Sequence, residues 1–510
     1  MSTAKPTLQA SSQPGATTPS PPAAARLLHT FAQGRAFPAA MALLIAAVWT
    51  PRLLRSLWVD EAGTFWMAHE GLVRAVQKTL HWPGQSVLYS AIISLFCFDG
   101  TPFRDAVMRV PSVIGIAAAG YFLYRIAEAR IGHGTGLVAV TLFVFHPGVI
   151  AVGYQARPYA LAMAAAIASC WALMAWEESR SRIYLAWYIA ASVLVIYLHY
   201  FFAMILAVHA LYLAFVFLVE GRRRQWGEAI VAGTAILALS TPLIPLLRRL
   251  IDERYTLPYA PPPSFRAFTD SLAPSLLVAG LMLVGILLSF VQTTIPRDIV
   301  PVRPSFGVLV FAWWLLGPLV FFVVSRTTAM LIFMPRYLAF TLAAQSLLFA
   351  ALGFRLFGVS GARVGALLGV AVIAANPLLV GRGGDGKEVL LPVIQMVRSD
   401  ANAPVFFPSL LQESLSYDWR AGNRPDSYLF APLVAYPISN PFYPVPIRPT
   451  DDARSYVDEI VDTRLAGVPE VLFVDKDTLW EAWIVERMHR AGMREDVRTS
   501  GHFKVFRFRR

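Results

Sequence analysis

Apolar residues in this chain come in long runs separated by short polar breaks. Runs beginning near residues 37, 108, 135, 158, 184, 201, 228, 272, 306, 337 and 363 each extend for roughly 17–25 residues. That is the length a helix needs to cross a hydrocarbon layer about 30 Å thick. The pattern predicts about eleven transmembrane helices. Those starting near 184 and 201 are separated only by LHYFF and read as two tightly turned helices.

One apolar stretch departs from the scheme. SVLYSAIISLFCF, 86 to 98, is short for a span and lies between HWPGQ and DGTPFRD. Segments of this length are more often interfacial or re-entrant. The charges provide an independent test. If 86–98 does not cross, Arg26, Arg35, Arg125, Arg130, Arg180, Arg182, the Arg222-Arg223-Arg224 cluster, Arg297, Arg303, Arg355 and Arg363 all fall on one side. An excess of Lys and Arg marks the cytoplasmic face. If it does cross, every later loop inverts and the arginine cluster lands outside. The first topology is preferred, with the N-terminus cytoplasmic. It makes 58–107 a large first extracytoplasmic loop. YQARPY, LHY, FMPRY and everything after about residue 381 lie on that same side.

The flanks read differently. Residues 1–36, rich in Ala, Ser, Thr and Pro, cannot bury enough apolar surface to fold and read as a disordered cytoplasmic tail. Residues 37–381 form the transmembrane domain. Residues 382–510 have ordinary polarity. APVFF, EVLFVD and FKVFRF predict strands there; LLPVIQMVRS and TLWEAWIVERMHRAG predict helices. The fold class is therefore an all-α polytopic membrane protein with a small C-terminal extracytoplasmic α/β domain.

Composition supports this and removes one rival. Only 15% of residues are charged, against about 25% in soluble proteins. The net charge of +12 would in a soluble protein point to nucleic acid. Here the cations sit between apolar runs, where the membrane accounts for them and no nucleic-acid partner is implied. Cys97 and Cys170 both lie in apolar segments and form no metal or disulfide framework.

Candidate chemistry gathers at the outer face. Asp60, Glu61, His81, Arg109, Arg157, His199 and Arg336 all come to it in the preferred topology, although any single arginine there could simply snorkel to headgroups. A carboxylate can take a proton from an attacking hydroxyl. Arginines can hold a phosphate and stabilise it as it leaves. The bilayer would supply that phosphate on a lipid. Asp60, His81 and His199 could in principle ligate a cation, but no tight ligand spacing exists, so no metal site is assigned and a divalent cation is the one cofactor left open. Trp58 and Trp66 are nominated for a sugar or lipid contact; the other aromatics at span ends read as an interfacial belt.

WVDEAGT, HWPGQSVLYSAI, FRDAVMRVPSVIG, GYQARPYALAM, YLHYFFAM and FMPRYLAFTLA occur in that order over residues 37 to 355. The sequence resembles the GT-C membrane glycosyltransferases, in particular the bacterial branch of protein O-mannosyltransferases and lipid A aminoarabinose transferases. The resemblance implies an inverting glycosyltransferase in the bacterial cytoplasmic membrane that uses a polyprenyl-phosphate sugar. The acceptor could be a glycan, a lipid or a protein. It implies Asp60 as general base with Glu61 completing the acidic pair. Arg157, Arg336 and Arg109 would lie at the carrier phosphate, and Tyr159, Tyr337, His81, His199, Tyr200 and Trp58 about the substrate. Two departures stand out: Gln155 occupies a position often acidic in relatives, and HWPG replaces a His-Pro-Pro run. A lipid-linked glycan transporter or flippase, and an oligosaccharide ligase using a lipid diphosphate, remain as alternatives.

Overall fold

The computed structural model describes residues 35–82, 84–97, 103–222, 225–252, 262–272, 303–328, 330–375, 390–410, 427–476 and 480–510. The expected tail up to residue 34, the span expected near 272 and the boundary near 381 lie outside the described residues.

Among the described residues, seven helices are long and apolar enough to cross a membrane: Ala36–Leu53, Arg104–Arg130, Tyr159–Ser179, Tyr200–Leu218, Trp226–Asp252, Pro304–Thr327 and Pro335–Ala371. A bent pair makes an eighth, Thr135–Val144 and Pro147–Gly153, which meet at 62°. Pro147 causes the bend, because it has no N–H for the preceding turn. His146 caps the new helix by accepting from the Gly148 N–H at 3.0 Å. Arg182–Leu198 is apolar but shorter. The expected count of eleven is not confirmed by the described residues.

The runs expected at 337 and 363 merge into one assigned helix, Leu342–Ala375, with non-helical backbone at Gly358 (φ 66°, ψ −177°). Only glycine takes that conformation readily. A methyl added to Gly353 would lie 3.5 Å from the Ala362 Cβ. Nine residues of straight helix would separate them by about 13.5 Å. The chain therefore reverses at Gly358, and the two runs are two helices packed side by side.

The apolar stretch after HWPGQ becomes the seven-residue helix Val87–Ile93, about 10 Å long, which cannot cross. Four of the arginines expected on one face, Arg130, Arg222, Arg303 and Arg363, gather at one end of the bundle. Arg130 and Arg303 pair with Glu178 at 2.6 and 3.3 Å, Arg222 pairs with Glu177, and Arg363 donates to the Gly134 carbonyl at 3.3 Å.

The C-terminal region carries a five-stranded sheet, β1 Val405–Pro408, β2 Phe442–Val445, β3 Glu470–Lys476, β4 Arg494–Ser500 and β5 Phe503–Arg509, in the order β2-β1-β3-β5-β4. β1 runs parallel to β2 and β3; β5 is antiparallel to β3 and β4. Alternation along β3 sends Val471 and Phe473 to a core with Trp480, Ile484 and Phe506, and Leu472 and Val474 to the opposite face. β2 and β4 have no sequence signal of their own: β2 is four residues with a proline, and β4 is an exposed, charged edge. The region docks on the first loop. The Tyr436 hydroxyl accepts from the Leu57 N–H at 2.7 Å and donates to Asp105 at 2.5 Å, and Arg104 donates to the Ala435 carbonyl at 2.8 Å.

Candidate functional site

Asp60 and Glu61 lie in the first turn of the helix Val59–Ala68, where the helix dipole favours negative charge. Adjacent helical residues point about 100° apart, so the acid pair divides. Glu61 turns inward and is fully buried. It accepts from Trp58 N at 3.2 Å, from Ala156 N at 2.7 Å, and from Arg109 Nε and Nη2 at 2.9 and 2.6 Å. Arg109, 1% exposed, spends its other N–H groups on the carbonyls of Arg52, Leu53, Arg55 and Ser56. These two residues form a buried clamp that ties the first loop to the second span and to the start of the Tyr159 helix. This corrects two sequence expectations. Arg109 has no donor left for a substrate phosphate, and Glu61 has no face left for an acceptor.

Asp60 turns the other way. Its Oδ2 pairs with Arg336 Nη1 at 3.0 Å; the side chains are 23% and 25% exposed. Arg336 is the second residue of the 3-10 helix Pro335–Thr341, and its guanidinium carbon lies 5.4 Å from the centre of the Tyr337 ring. Arg157 approaches from the loop ahead of the Tyr159–Ser179 helix. Its Nη1 lies 3.0 Å from Gln85 Oε1, 3.3 Å from Thr64 Oγ1 and 3.4 Å from the Asp60 carbonyl. Residues 60, 157 and 336, far apart in sequence, thus meet at one end of the bundle.

His199 sits in the break between Arg182–Leu198 and the next helix. Its ring is 4.4 Å from Phe202, 5.3 Å from Tyr159 and 5.6 Å from Tyr337, centre to centre. Burial, then the charges of Arg157 and Arg336, push its pKa down to about 3, so the ring is neutral at physiological pH. Arg157 Nε, Arg336 Nε and His199 Nδ1 are buried and without a partner among the described residues, as are Trp58 Nε1, close to Asp60 in sequence, and the Tyr200 hydroxyl, next to His199 in sequence. An unsatisfied buried polar group costs about 1–3 kcal/mol, and the two guanidinium Nε groups beside Asp60 are donors that an anion with several acceptor oxygens would satisfy.

His81 is a further correction. It is exposed at the end of the helix Leu72–His81, with Nδ1 2.8 Å from the Gln77 carbonyl of its own turn. Asp60, His81 and His199 do not come together as a ligand group. Among the described residues no group of three or more His, Cys, Asp or Glu could hold a metal ion. Gln155 is buried, and its Nε2 donates to the Ala151 carbonyl at 2.7 Å. Cys170 contacts His209 at 3.2 Å, away from this region.

Sequence reasoning missed Gln85, Thr64 and Tyr428. Gln85 and Thr64 lie inside motifs quoted above, where neighbouring residues drew the attention. Tyr428 had no signal: it comes from the C-terminal region and reaches the site only through the fold. Its hydroxyl accepts from Gln85 Nε2 at 3.1 Å, and its ring packs on Trp82 and Trp66, at 4.1 and 5.4 Å.

Residues 85–246 match the family model of dolichyl-phosphate-mannose-protein mannosyltransferases. The fold is similar to that of ArnT from Cupriavidus metallidurans, solved bound to undecaprenyl phosphate and in the apo state. Each gives a TM-score of 0.52 at 12% sequence identity, over 92% of this chain and 97% of that one. No curated protein matches the chain in sequence.

Proposed function

We propose that this chain is a membrane glycosyltransferase of the GT-C type that moves a sugar from a polyprenyl-phosphate donor to an acceptor hydroxyl at the outer face of the cytoplasmic membrane. Undecaprenyl phosphate bound to the structurally similar ArnT supports the class of donor. The single observation that carries the reading is the contact of Asp60 with Arg336, flanked by Arg157, with guanidinium Nε groups left unpartnered.

The reaction follows from these groups. The acceptor oxygen attacks the anomeric carbon while its proton passes to Asp60. The bond from that carbon to the phosphate oxygen breaks on the opposite face, and the electron pair leaves with the polyprenyl phosphate. Configuration inverts. Arg336 and Arg157 meet the growing negative charge on the phosphate. Arg336 can serve both partners, because Nη1 on Asp60 leaves other donors for the phosphate. Tyr159, Tyr337 and neutral His199 wall the position, and Tyr200 and Trp58 add donors.

The test is transfer in detergent by purified protein with a polyprenyl-phosphate sugar. Asp60→Asn is expected to fold normally and lose transfer. Undiminished activity would remove Asp60 as the base. Transfer without membrane sides also separates an enzyme from a flippase.

A further inference from the structure

Residues 427–436 of the C-terminal region pack against the bundle, and this contact reaches the site. We propose that Tyr428 is a positioning residue: acting through Gln85, it holds Arg157 in the orientation that receives the donor phosphate. The inference rests on the reading of Arg157 as a phosphate ligand.

Arginine can only donate. Gln85 must therefore turn its carbonyl oxygen toward Arg157 Nη1, 3.0 Å away. That choice fixes the amide, and its NH2 faces the Tyr428 oxygen at 3.1 Å. If Tyr428 were removed, Gln85 would lose the partner that selects its rotamer, and Arg157 would lose its shortest hydrogen bond. Tyr428 is itself held on all sides. Trp82 and Trp66 pack on its ring. Helix Ala431–Ala435 follows directly and rests on the helix that carries Asp60. Tyr436 then bonds both Leu57 and Asp105. Burial, opposed in part by Arg157, pushes the Tyr428 phenol up to about 12, so it stays protonated. The C-terminal region is on this view part of the donor site, since its docking sets the aim of a guanidinium in the bundle.

A purely structural role for Tyr428 would arise from its ring, which phenylalanine keeps. The probe is undecaprenyl phosphate titrated into the purified full-length chain in detergent, with melting temperature measured in parallel. Tyr428→Phe is expected to weaken binding about three- to tenfold, the worth of one hydrogen bond, with little change in melting. Gln85→Ala should weaken it by a similar factor, and the double variant no further, because both break the same relay. Wild-type affinity for Tyr428→Phe, or effects of the two changes that multiply, would overturn the proposal, as would a lowered melting temperature with affinity intact. Arg157→Ala separates the two levels. If it leaves binding unchanged, the phosphate reading fails; if it weakens binding while Tyr428→Phe does not, only the relay fails.

Discussion

Asp60 and Glu61 are neighbours of the same chemistry, and the structure predicts opposite consequences for losing them. Glu61→Ala deletes a buried carboxylate that accepts from four N–H groups, two of them on Arg109. The guanidinium stays behind, 1% exposed, with only carbonyls around it, and the N–H of Ala156 loses its partner. Breaking a buried ion pair from one side costs about 3–5 kcal/mol. Asp60→Asn, by contrast, removes a pair whose members are about a quarter exposed, worth about 1 kcal/mol or less, and the amide oxygen can still accept from Arg336. The assay is the melting temperature of each purified variant in detergent, followed by loss of the monodisperse peak. Glu61→Ala should melt at least about 5 °C lower, and Asp60→Asn within a degree or two of the parent. The double variant Glu61→Leu, Arg109→Met should recover part of the loss, because no charge is left stranded. If Glu61→Ala melts with the parent and fails only in catalysis, the clamp is wrong and Glu61 returns to the reacting groups.

Three further outcomes follow from the same geometry. Arg336→Ala should raise the donor KM roughly tenfold or more with little change in acceptor KM, since hydrogen bonds to charged groups are worth about 1.5–3 kcal/mol; equal effects on both substrates would argue against a phosphate contact. Gly115 lets the second span touch the Tyr159 helix backbone to backbone: a methyl there would lie 2.7 Å from the Ala160 carbonyl carbon. Gly115→Val should therefore lower folded yield severely, and a variant that purifies and melts like the parent would contradict the contact. His199 concerns pH. The unfolded ring binds a proton near pH 6.5, the folded one only near 3. Between those values the unfolded state holds more protons, so stability falls as pH drops through that window. His199→Asn should flatten the fall between pH 7 and pH 5, measured by melting; an unchanged slope would exclude this histidine as its source.

Much of the fold is legible in the sequence because membrane insertion is governed by composition over about twenty residues, which a linear string displays. The apolar runs locate the helices, and of the arginines expected together, Arg130, Arg222 and Arg303 do meet at one end. The stretch 86–98 could be read as non-crossing from its length alone. The motifs likewise single out Asp60, Arg157 and Arg336, because charge near a span end is rare enough to stand out. What a string does not display is direction and partnership. Asp60 and Glu61 differ by about 100° of helix rotation, and that rotation alone sends one to Arg336 and the other to Arg109. Arg109 looks as available as Arg157 until the loop carbonyls of residues 52–56 close around it. Tyr428 joins Gln85 across 343 positions of sequence, with no periodicity to announce it. Local chemistry, then, was settled residue by residue along the chain. Which charges are spent on holding the protein together, and which are left for a substrate, was decided only when distant segments packed, because burial and hydrogen-bond satisfaction are properties of the packed fold.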